Sequence, residues 1–208
     1  MKERPILFSG PMVQAILAGR KTQTRRVVKP QPKHTDSWTT LRYYGEGIAI
    51  ECGPDYPDDH DDQRICPYGV PGDTLWVRET WGAPDCDRPG VVGGRQPAPG
   101  DRIVYQADEA DAWQWRSGMP WLPSIHMPRW ASRITLEIKA VRVERLQEIS
   151  EEDAKAEGAE RAVVRPGKLS SYVDAFAVLW STINHPEGPD SWTANPWVWV
   201  IEFEREAP

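Results

Sequence analysis

The sequence lacks any apolar run as long as a bilayer-spanning helix requires. Its first five residues, MKERP, are charged where a secretory signal would carry an apolar stretch. It also has no internal repeat and no compositionally biased tail. These absences argue against a membrane protein and against a repeat protein. We therefore expect a soluble, cytoplasmic protein that has no membrane partner.

Cysteine is scarce as well. Cys52, Cys66 and Cys86 form no close pair and leave an odd count, which favours reduced thiols over a disulfide framework. No Cys-x-x-Cys spacing supports a zinc site. The acidic run at 55–62 lacks the Gly-centred alternation and the closing Glu of a calcium loop. The sequence therefore predicts neither a metal site nor a cofactor.

The charge of the chain is unevenly distributed. The net charge is -6, yet residues 1–33 hold eight Lys or Arg against the single acid Glu3, a local charge of +7. The rest of the chain therefore carries -13. An acidic protein with one basic region can hold a phosphate or a single nucleotide there, whereas salt-driven binding along a duplex is disfavoured.

The basic region contains the segment GRKTQTRR at positions 19–26, which concentrates one amine, two hydroxyls and three guanidinium groups. It follows a predicted helix that Ser9 would cap, that Pro11 fits in the first turn and that Gly19 would end. The apolar stripe of this helix is Met12, Val13, Ile16 and Leu17. Few purely structural loops need such a concentration of functional groups.

The remaining pattern predicts a single α+β domain over 1–208. Strand candidates lie at 6–8, 74–79, 102–107, 133–146 and 197–204, and helix candidates at 150–158 and 171–182. The apolar phase of the longest strand shifts near Ala140, which predicts a bulge or a break there. Stretches rich in Gly, Pro or Asp at about 31–70 and 82–130 are interpreted as two long loop insertions.

Several of these features resemble the ASCH domain, a PUA-like family with a small mixed β-barrel and flanking short helices. The resemblance rests on the motif G-x-K-x-x-T-x-R at 19–26, the Gly-Asp turn at 72–73, the short helix at 150–158 and the closing strand. The general pattern has Glu where Thr24 stands, and Thr at this place resembles the bacterial N4-acetylcytidine amidohydrolases. The segments 66–68, 76–79 and 123–130 resemble a longer ASCH group of bacteriophages and prophages.

The resemblance to the amidohydrolases implies a catalytic set of Lys21, Thr24 and Glu157. Amide hydrolysis needs a nucleophile, a base and an acid that protonates the leaving nitrogen. Thr24 would be the nucleophile and Lys21 its base, provided that burial or like charge lowers the pKa of Lys21. Glu157 would be the acid, and a backbone N–H after Gly19 or the Arg26 guanidinium would stabilise the oxyanion. The expected reaction removes an acyl group from N4 of a modified cytidine nucleoside or nucleotide.

Substrate binding is assigned to Arg26 and to four further residues. Arg78, Glu79, His126 and Arg129 are expected to line the same cleft and to contact a base edge or a phosphate, with Trp81 or Trp130 as a stacking surface. The alternative is structural, because an Arg-Glu pair at a strand end is often a plain ion pair, and a His among Trp and Pro residues is often simply packed.

Other functions remain open from the sequence. Lys21 and the arginines would suit phosphate binding, Thr24 a local hydrogen bond, and Glu157 a solvated position near a helix end. The protein would then be a non-catalytic module of phage origin that binds RNA or modified nucleic acid. A third hypothesis is a ribonuclease that uses Lys21 and Glu157 as acid and base. The expected partner is therefore a modified nucleoside or an RNA.

Overall fold

The structure is a computed structural model, and it describes residues 1–32, 39–44, 47–52, 64–84, 86, 95–108, 121–165, 167–184 and 187–206. Its α-helices are α1 (Gly10–Leu17), α2 (Glu151–Ala156) and α3 (Tyr172–Ile183). Short 3-10 helices lie at Ser124–His126, Arg129–Ala131 and Leu146–Glu148. No helix in these ranges is both long enough and apolar enough to cross a membrane. The acidic run at 55–62 and residues 109–120 of the Trp-rich segment lie outside the described residues.

The strands supply most of the regular structure. They are β1 (Glu3–Leu7), β2 (Gln23–Val27), β3 (Thr39–Tyr44), β4 (Gly47–Cys52), β5 (Arg64–Ile65), β6 (Thr74–Arg78), β7 (Trp81–Gly82), β8 (Val104–Tyr105), β9 (Thr135–Arg145), β10 (Val163–Arg165), β11 (Lys168–Leu169) and β12 (Trp197–Arg205). The combination of one main sheet with a few helices confirms the expected α+β class.

The main sheet has the strand order β1-β6-β9-β12-β2. β1 and β6 are parallel, and the other neighbours are antiparallel. Alternate side chains of β9 and β12 fill the core on one face, because successive residues of a strand point to opposite sides. The buried residues on this face include Leu136, Ile138, Ile201 and Phe203. α1 contributes Val13 and Ile16 to the same core.

A bulge bends the sheet at the expected place. Glu202 pairs with Ala140, but Phe203 pairs with Ile138, so β9 has one extra residue at this point. The strand continues through the bulge from Thr135 to Arg145 without a break. A bulge increases twist and bends the strand, which curls the sheet around its core. The described strands nevertheless form no closed barrel, since β1 and β2 stay at opposite edges of the sheet.

The segment at 31–70 contains more structure than the loop that we expected. β3, β4 and β5 form a three-stranded antiparallel sheet, with Thr39 opposite Cys52 and Tyr44 opposite Gly47. The sequence TTLRYY of β3 has the β-branched and aromatic content of a strand. The many Gly, Pro and Asp residues around it concealed this signal.

The segment at 82–130 is also partly structured. β7 pairs with β8, and Trp81 forms an additional bridge to Leu122. Trp81 lies at the centre of a small separate core, which also contains Ala83, Cys86, Met127 and Ala131. The described part of this insertion therefore packs on its own cluster of apolar side chains.

The second face of the main sheet is covered by α2 and α3. Phe176 and Trp180 of α3 pack with Val198 and Val200 of β12 in a second core. Ser150 and Ser171 cap the two helices by accepting hydrogen bonds from Asp153 N and Asp174 N. Ser9 occupies the N-cap position of α1, but its hydroxyl makes no capping bond. The sheet thus separates two cores, and β2 forms one edge of both.

Candidate active site

The basic segment at 19–26 turns from α1 directly into an edge strand. Gly19 has φ = +70°, a conformation that favours glycine, and the next two backbone N–H groups both donate to Ala15 O. The chain then forms β2, a strand that the sequence pattern did not predict. Thr24 lies opposite Ile201 and Arg25 opposite Val200, so consecutive residues of β2 face different cores. The functional groups of the segment are thus divided between the two faces of the sheet.

Lys21 and Glu157, two members of the expected catalytic set, form a buried ion pair. Each residue is only 2% exposed. The Lys21 Nζ donates to Glu157 Oε2 at 2.7 Å, to the Glu157 carbonyl at 2.8 Å and to the Gln23 carbonyl at 2.8 Å. All three ammonium protons therefore have acceptors, and a buried charge needs such satisfaction.

Gly158 makes this approach possible. It has φ = +82°, and a Cβ built on it would lie 3.2 Å from the Cβ atoms of both Ala15 and Lys21. A larger residue would therefore push the end of α2 away from Lys21. Glu157, the C-cap residue of α2, is held against Lys21 because the next residue has no side chain.

The pKa of Lys21 is lowered from its ordinary value. Burial is the largest cause, because it penalises the charged ammonium. The carboxylate of Glu157 opposes the shift, and the guanidinium groups of Arg26 and Arg25 add to it. Lys21 therefore loses its proton more readily than an exposed lysine does.

Arg25 connects the pair to a larger charged network that the sequence analysis did not find. Its Nη1 donates to Glu157 Oε1 at 3.2 Å, its Nε to Glu144 Oε1 at 3.1 Å and its Nη2 to Asp153 Oδ2 at 3.2 Å. Arg142 donates to the same Asp153 oxygen at 2.8 Å. Both oxygens of Glu157 consequently accept from a cation. To act as an acid, Glu157 must first receive a proton, and the Lys21 ammonium is directly bonded to it.

Thr24 and Glu157 line one small cavity, which we call the inner chamber. Its volume is about 60 Å³, and it lies between the edge of β2, Met12 of α1 and α3. The chamber is lined by Met12, Thr24, Arg25, Arg26, Val27, Glu157, Phe176, Leu179, Trp180, Ile183 and Asn184. Two larger grooves, of about 750 and 610 Å³, lie beside α2, but neither is lined by Lys21, Thr24 or Glu157. Of these three cavities, only the inner chamber is lined by Thr24 and Glu157, and Lys21 lines none of them.

Arg26 lines the inner chamber and has one donor without an acceptor among the described residues. Its Nη2 donates to Leu7 O at 2.6 Å, and its guanidinium carbon lies 5.2 Å from the centre of the Phe8 ring. Its Nε is buried and has no hydrogen-bond partner among the described residues. Burial lowers the pKa of the guanidinium from its ordinary value. A buried N–H without an acceptor is costly, and an oxygen of a bound molecule would satisfy it.

Glu79 belongs to a different ion pair, away from the inner chamber. It is 1% exposed and accepts from Arg133 Nε and Nη2 at 3.0 Å each. Arg133 also donates to Asp108, at 2.6 and 2.9 Å. Burial raises the pKa of Glu79, whereas Arg133 opposes this shift. Arg133 is 54 residues from Glu79 along the chain, so no local pattern indicated this partner.

The other predicted binding residues lie near the end of β6 and on the two 3-10 helices that precede β9. The Arg78 guanidinium stacks 4.6 Å from the Trp76 ring centre and donates to Ile125 O at 3.3 Å. His126 is exposed. Arg129 forms a bidentate ion pair with Glu3, with both bonds at 3.0 Å. None of Arg78, Glu79, His126 and Arg129 lines the inner chamber, because each lies on or beside β6 or the second insertion.

The two tryptophans considered for stacking differ in exposure. Trp81 is 3% exposed and lies in the core of the second insertion. Trp130 is 37% exposed and meets Trp81 edge-on, with ring centres 6.1 Å apart. Only Trp130 therefore offers a surface to a ligand.

The described residues contain no group of three or more His, Cys, Asp or Glu side chains arranged to hold a metal ion. Comparison with known protein families, with curated proteins and with solved structures finds no match.

Proposed function

We propose that the protein is an amidohydrolase that removes an acyl group from N4 of a modified cytidine. The observation that carries the proposal is the buried Lys21–Glu157 pair, in which Glu157 lines the inner chamber together with Thr24. The motif at 19–26 adds the resemblance to the N4-acetylcytidine amidohydrolases. The related proposal is a PUA-like fold of the ASCH type, and it is supported by the curled five-stranded sheet, although the described strands leave that sheet open between β1 and β2.

The proposed reaction begins with transfer of the Lys21 proton to Glu157, which leaves a neutral amine. Thr24 Oγ then attacks the carbonyl carbon of the acyl group while its proton passes to Lys21 Nζ. The carbonyl oxygen becomes an oxyanion, and Arg26 Nε–H is the donor available to stabilise it. Low exposure strengthens each of these charge interactions.

The second half of the reaction releases the two products. Glu157 donates its proton to N4 as the carbon–nitrogen bond breaks, which leaves cytidine and an ester on Thr24. Water, deprotonated by the pair, then attacks the ester carbon, and the bond to Thr24 Oγ breaks. The carboxylic acid leaves, and Thr24 regains its proton. Each proton is thus moved by the Lys21–Glu157 pair.

The burial of this pair favours a small substrate group over a polymer. In a ribonuclease, a phosphodiester of the RNA would have to reach the side chains of Lys21 and Glu157, which are only 2% exposed. A non-catalytic RNA-binding module is the second candidate, and it is supported by a separate surface. There, Ile125, whose carbonyl accepts from Arg78, is 57% exposed, and Trp130, which contacts Trp81, is 37% exposed. An exposed aromatic ring suits base stacking.

The experiment is the release of cytidine from N4-acetylcytidine by the wild-type protein and by Lys21→Met, Thr24→Val and Glu157→Gln. We expect turnover by the wild type and a loss of about 100-fold or more in each variant. Thr22→Val is the matched control, since Thr22 is exposed and does not line the inner chamber. Thermal unfolding of each protein separates lost catalysis from lost folding. If Thr24→Val hydrolysed the substrate at the wild-type rate, Thr24 could not be the nucleophile.

A further inference from the structure

A second cavity adjoins the inner chamber. This space, which we call the outer groove, has a volume of about 370 Å³ and lies between α1, α3 and the turn after α2. Its walls include Pro11, Gln14, Arg20, Gly158, Glu160 and Val178. Met12, Glu157 and Leu179 line both cavities, so these three residues form the partition between them.

The two cavities differ sharply in what they can hold. A water molecule takes about 30 Å³, and an engineered cavity of about 150 Å³ holds benzene. The inner chamber, at about 60 Å³, has room for a group of a few atoms but not for a six-membered ring. The outer groove, at about 370 Å³, has room for a pyrimidine ring and part of a sugar.

The side chains that line the two cavities also differ in chemistry. Phe176, Leu179 and Trp180 give the inner chamber an apolar wall, and Arg26, whose buried Nε lacks an acceptor among the described residues, also lines it. A methyl group and a carbonyl oxygen match this pair of surfaces. Arg20, Glu160 and Gln14 give the outer groove the polar groups that a nucleoside can bond. Glu157, the only ionisable residue of the partition, lies where a bond that spans the two cavities would be cut.

We infer that the inner chamber is an acyl pocket and that the outer groove receives the nucleobase, with Met12 and Leu179 setting the size of the acyl group. This inference rests on the proposed function and goes beyond it by assigning the two ends of the substrate. Formyl and acetyl groups are small enough for the chamber, whereas a benzoyl ring exceeds its volume. The protein is therefore specific for short acyl groups.

The test compares turnover of N4-acetylcytidine, N4-butyrylcytidine and N4-benzoylcytidine. In the wild type, we expect kcat/KM to fall about tenfold or more from acetyl to butyryl, and further for benzoyl. Leu179→Ala should raise the benzoyl-to-acetyl ratio by about tenfold or more because it removes part of the partition. Val173→Ala is the control, since it shortens an aliphatic side chain of the same helix that lines neither cavity. Equal turnover of all three substrates by the wild type, or an unchanged ratio in Leu179→Ala, would overturn the inference.

A binding experiment separates failure of this inference from failure of the proposed function. If the wild type hydrolyses none of the three substrates, the proposed function fails, and the size limit is tested with acetamide and benzamide followed by NMR. Acetamide should shift the amide signals of Thr24 and Leu179 in the wild type, and benzamide should not. Leu179→Ala should admit both molecules. Benzamide binding to the wild-type chamber, or no shift by acetamide, would contradict the acyl pocket.

Discussion

The Arg26 side chain on β2 donates a hydrogen bond to the carbonyl of Leu7 on β1, at 2.6 Å. These strands are the two edges of the main sheet, and no backbone ladder joins them among the described strands. One side chain thus connects the edges of the curled sheet. Because the same residue lines the inner chamber, the shape of the sheet and the shape of the site depend on each other.

Replacing Arg26 tests this connection. We expect Arg26→Met to lower the free energy of unfolding by about 1.5–3 kcal/mol, since it removes a charge-assisted hydrogen bond to a carbonyl. Urea unfolding measures the change. Arg20→Met is the control, because Arg20 is exposed and its ion pair with Glu160 lies on the surface, where such pairs contribute about 0–1 kcal/mol. Equal losses in the two variants would show that Arg26 does not join the edges.

The lowered pKa of Lys21 predicts a pH dependence of stability. Lys21 holds its proton less tightly in the folded state than in the unfolded state, so the unfolded state binds more protons below pH 10.5. Raising the pH from the folded pKa of Lys21 towards 10.5 should therefore stabilise the wild type relative to Lys21→Met. Chemical unfolding at a series of pH values measures this difference. A difference that stays constant, or that falls as the pH rises, would contradict the assigned direction.

Glu157 should shift this dependence in a defined direction. Its carboxylate raises the pKa of Lys21 against the effect of burial. In Glu157→Gln the pKa of Lys21 should therefore fall further, and the pH dependence that Lys21 causes should move to lower pH. Comparing Glu157→Gln with the double variant Lys21→Met/Glu157→Gln isolates this effect from other titrating groups. A shift to higher pH would show that Glu157 does not stabilise the charged amine.

The buried thiol of Cys66 predicts a loss of stability at alkaline pH. It is 4% exposed, and burial raises its pKa to about 11, against the hydrogen bonds of the Tyr68 and Gly69 backbone. A thiol with a raised folded pKa contributes stability below pH 9 that is lost as the pH rises towards 11. The wild type should lose about 2–3 kcal/mol over this range relative to Cys66→Ala. If the free energies of unfolding of the two proteins changed in parallel with pH, this prediction would be wrong.

The buried pair of Glu79 and Arg133 predicts unequal effects of its two members. Arg133→Met leaves the Glu79 carboxylate buried without its partner, which costs about 3–5 kcal/mol. Glu79→Gln keeps a hydrogen-bonding group in place and should cost less. Since burial already raises the pKa of Glu79, the loss in Arg133→Met should be smaller at pH 5 than at pH 8. Urea unfolding at both pH values decides this, and a loss that is larger at pH 5 would contradict the account.

The sequence predicted the parts of the fold that local chemistry determines. The expected helices at 150–158 and 171–182 correspond to α2 and α3, and the shift of apolar phase near Ala140 marked the bulge. The pair of Lys21 and Glu157 was reached through the resemblance of a motif, since 136 residues separate them. Its contact is now visible in the structure.

The sequence could not predict the partners of Arg25 and Glu79. Glu144 is 119 residues from Arg25, and Arg133 is 54 residues from Glu79, so these pairs exist only through the pairing of distant strands. The strands β3 to β5 were missed because Gly, Pro and Asp dominate the surrounding segment. The size of the inner chamber depends on how α3 packs over β2, which no spacing in the chain records.

The central claim is that Thr24 attacks an acyl group in the inner chamber. The most direct measurement is mass spectrometry of protein quenched during turnover of N4-acetylcytidine. We expect an acetyl group on the peptide that contains Thr24 in the wild type and none in Thr24→Val, which should also release no cytidine. Release of cytidine by Thr24→Val at the wild-type rate, with no acetyl group on this peptide in either protein, would contradict the account.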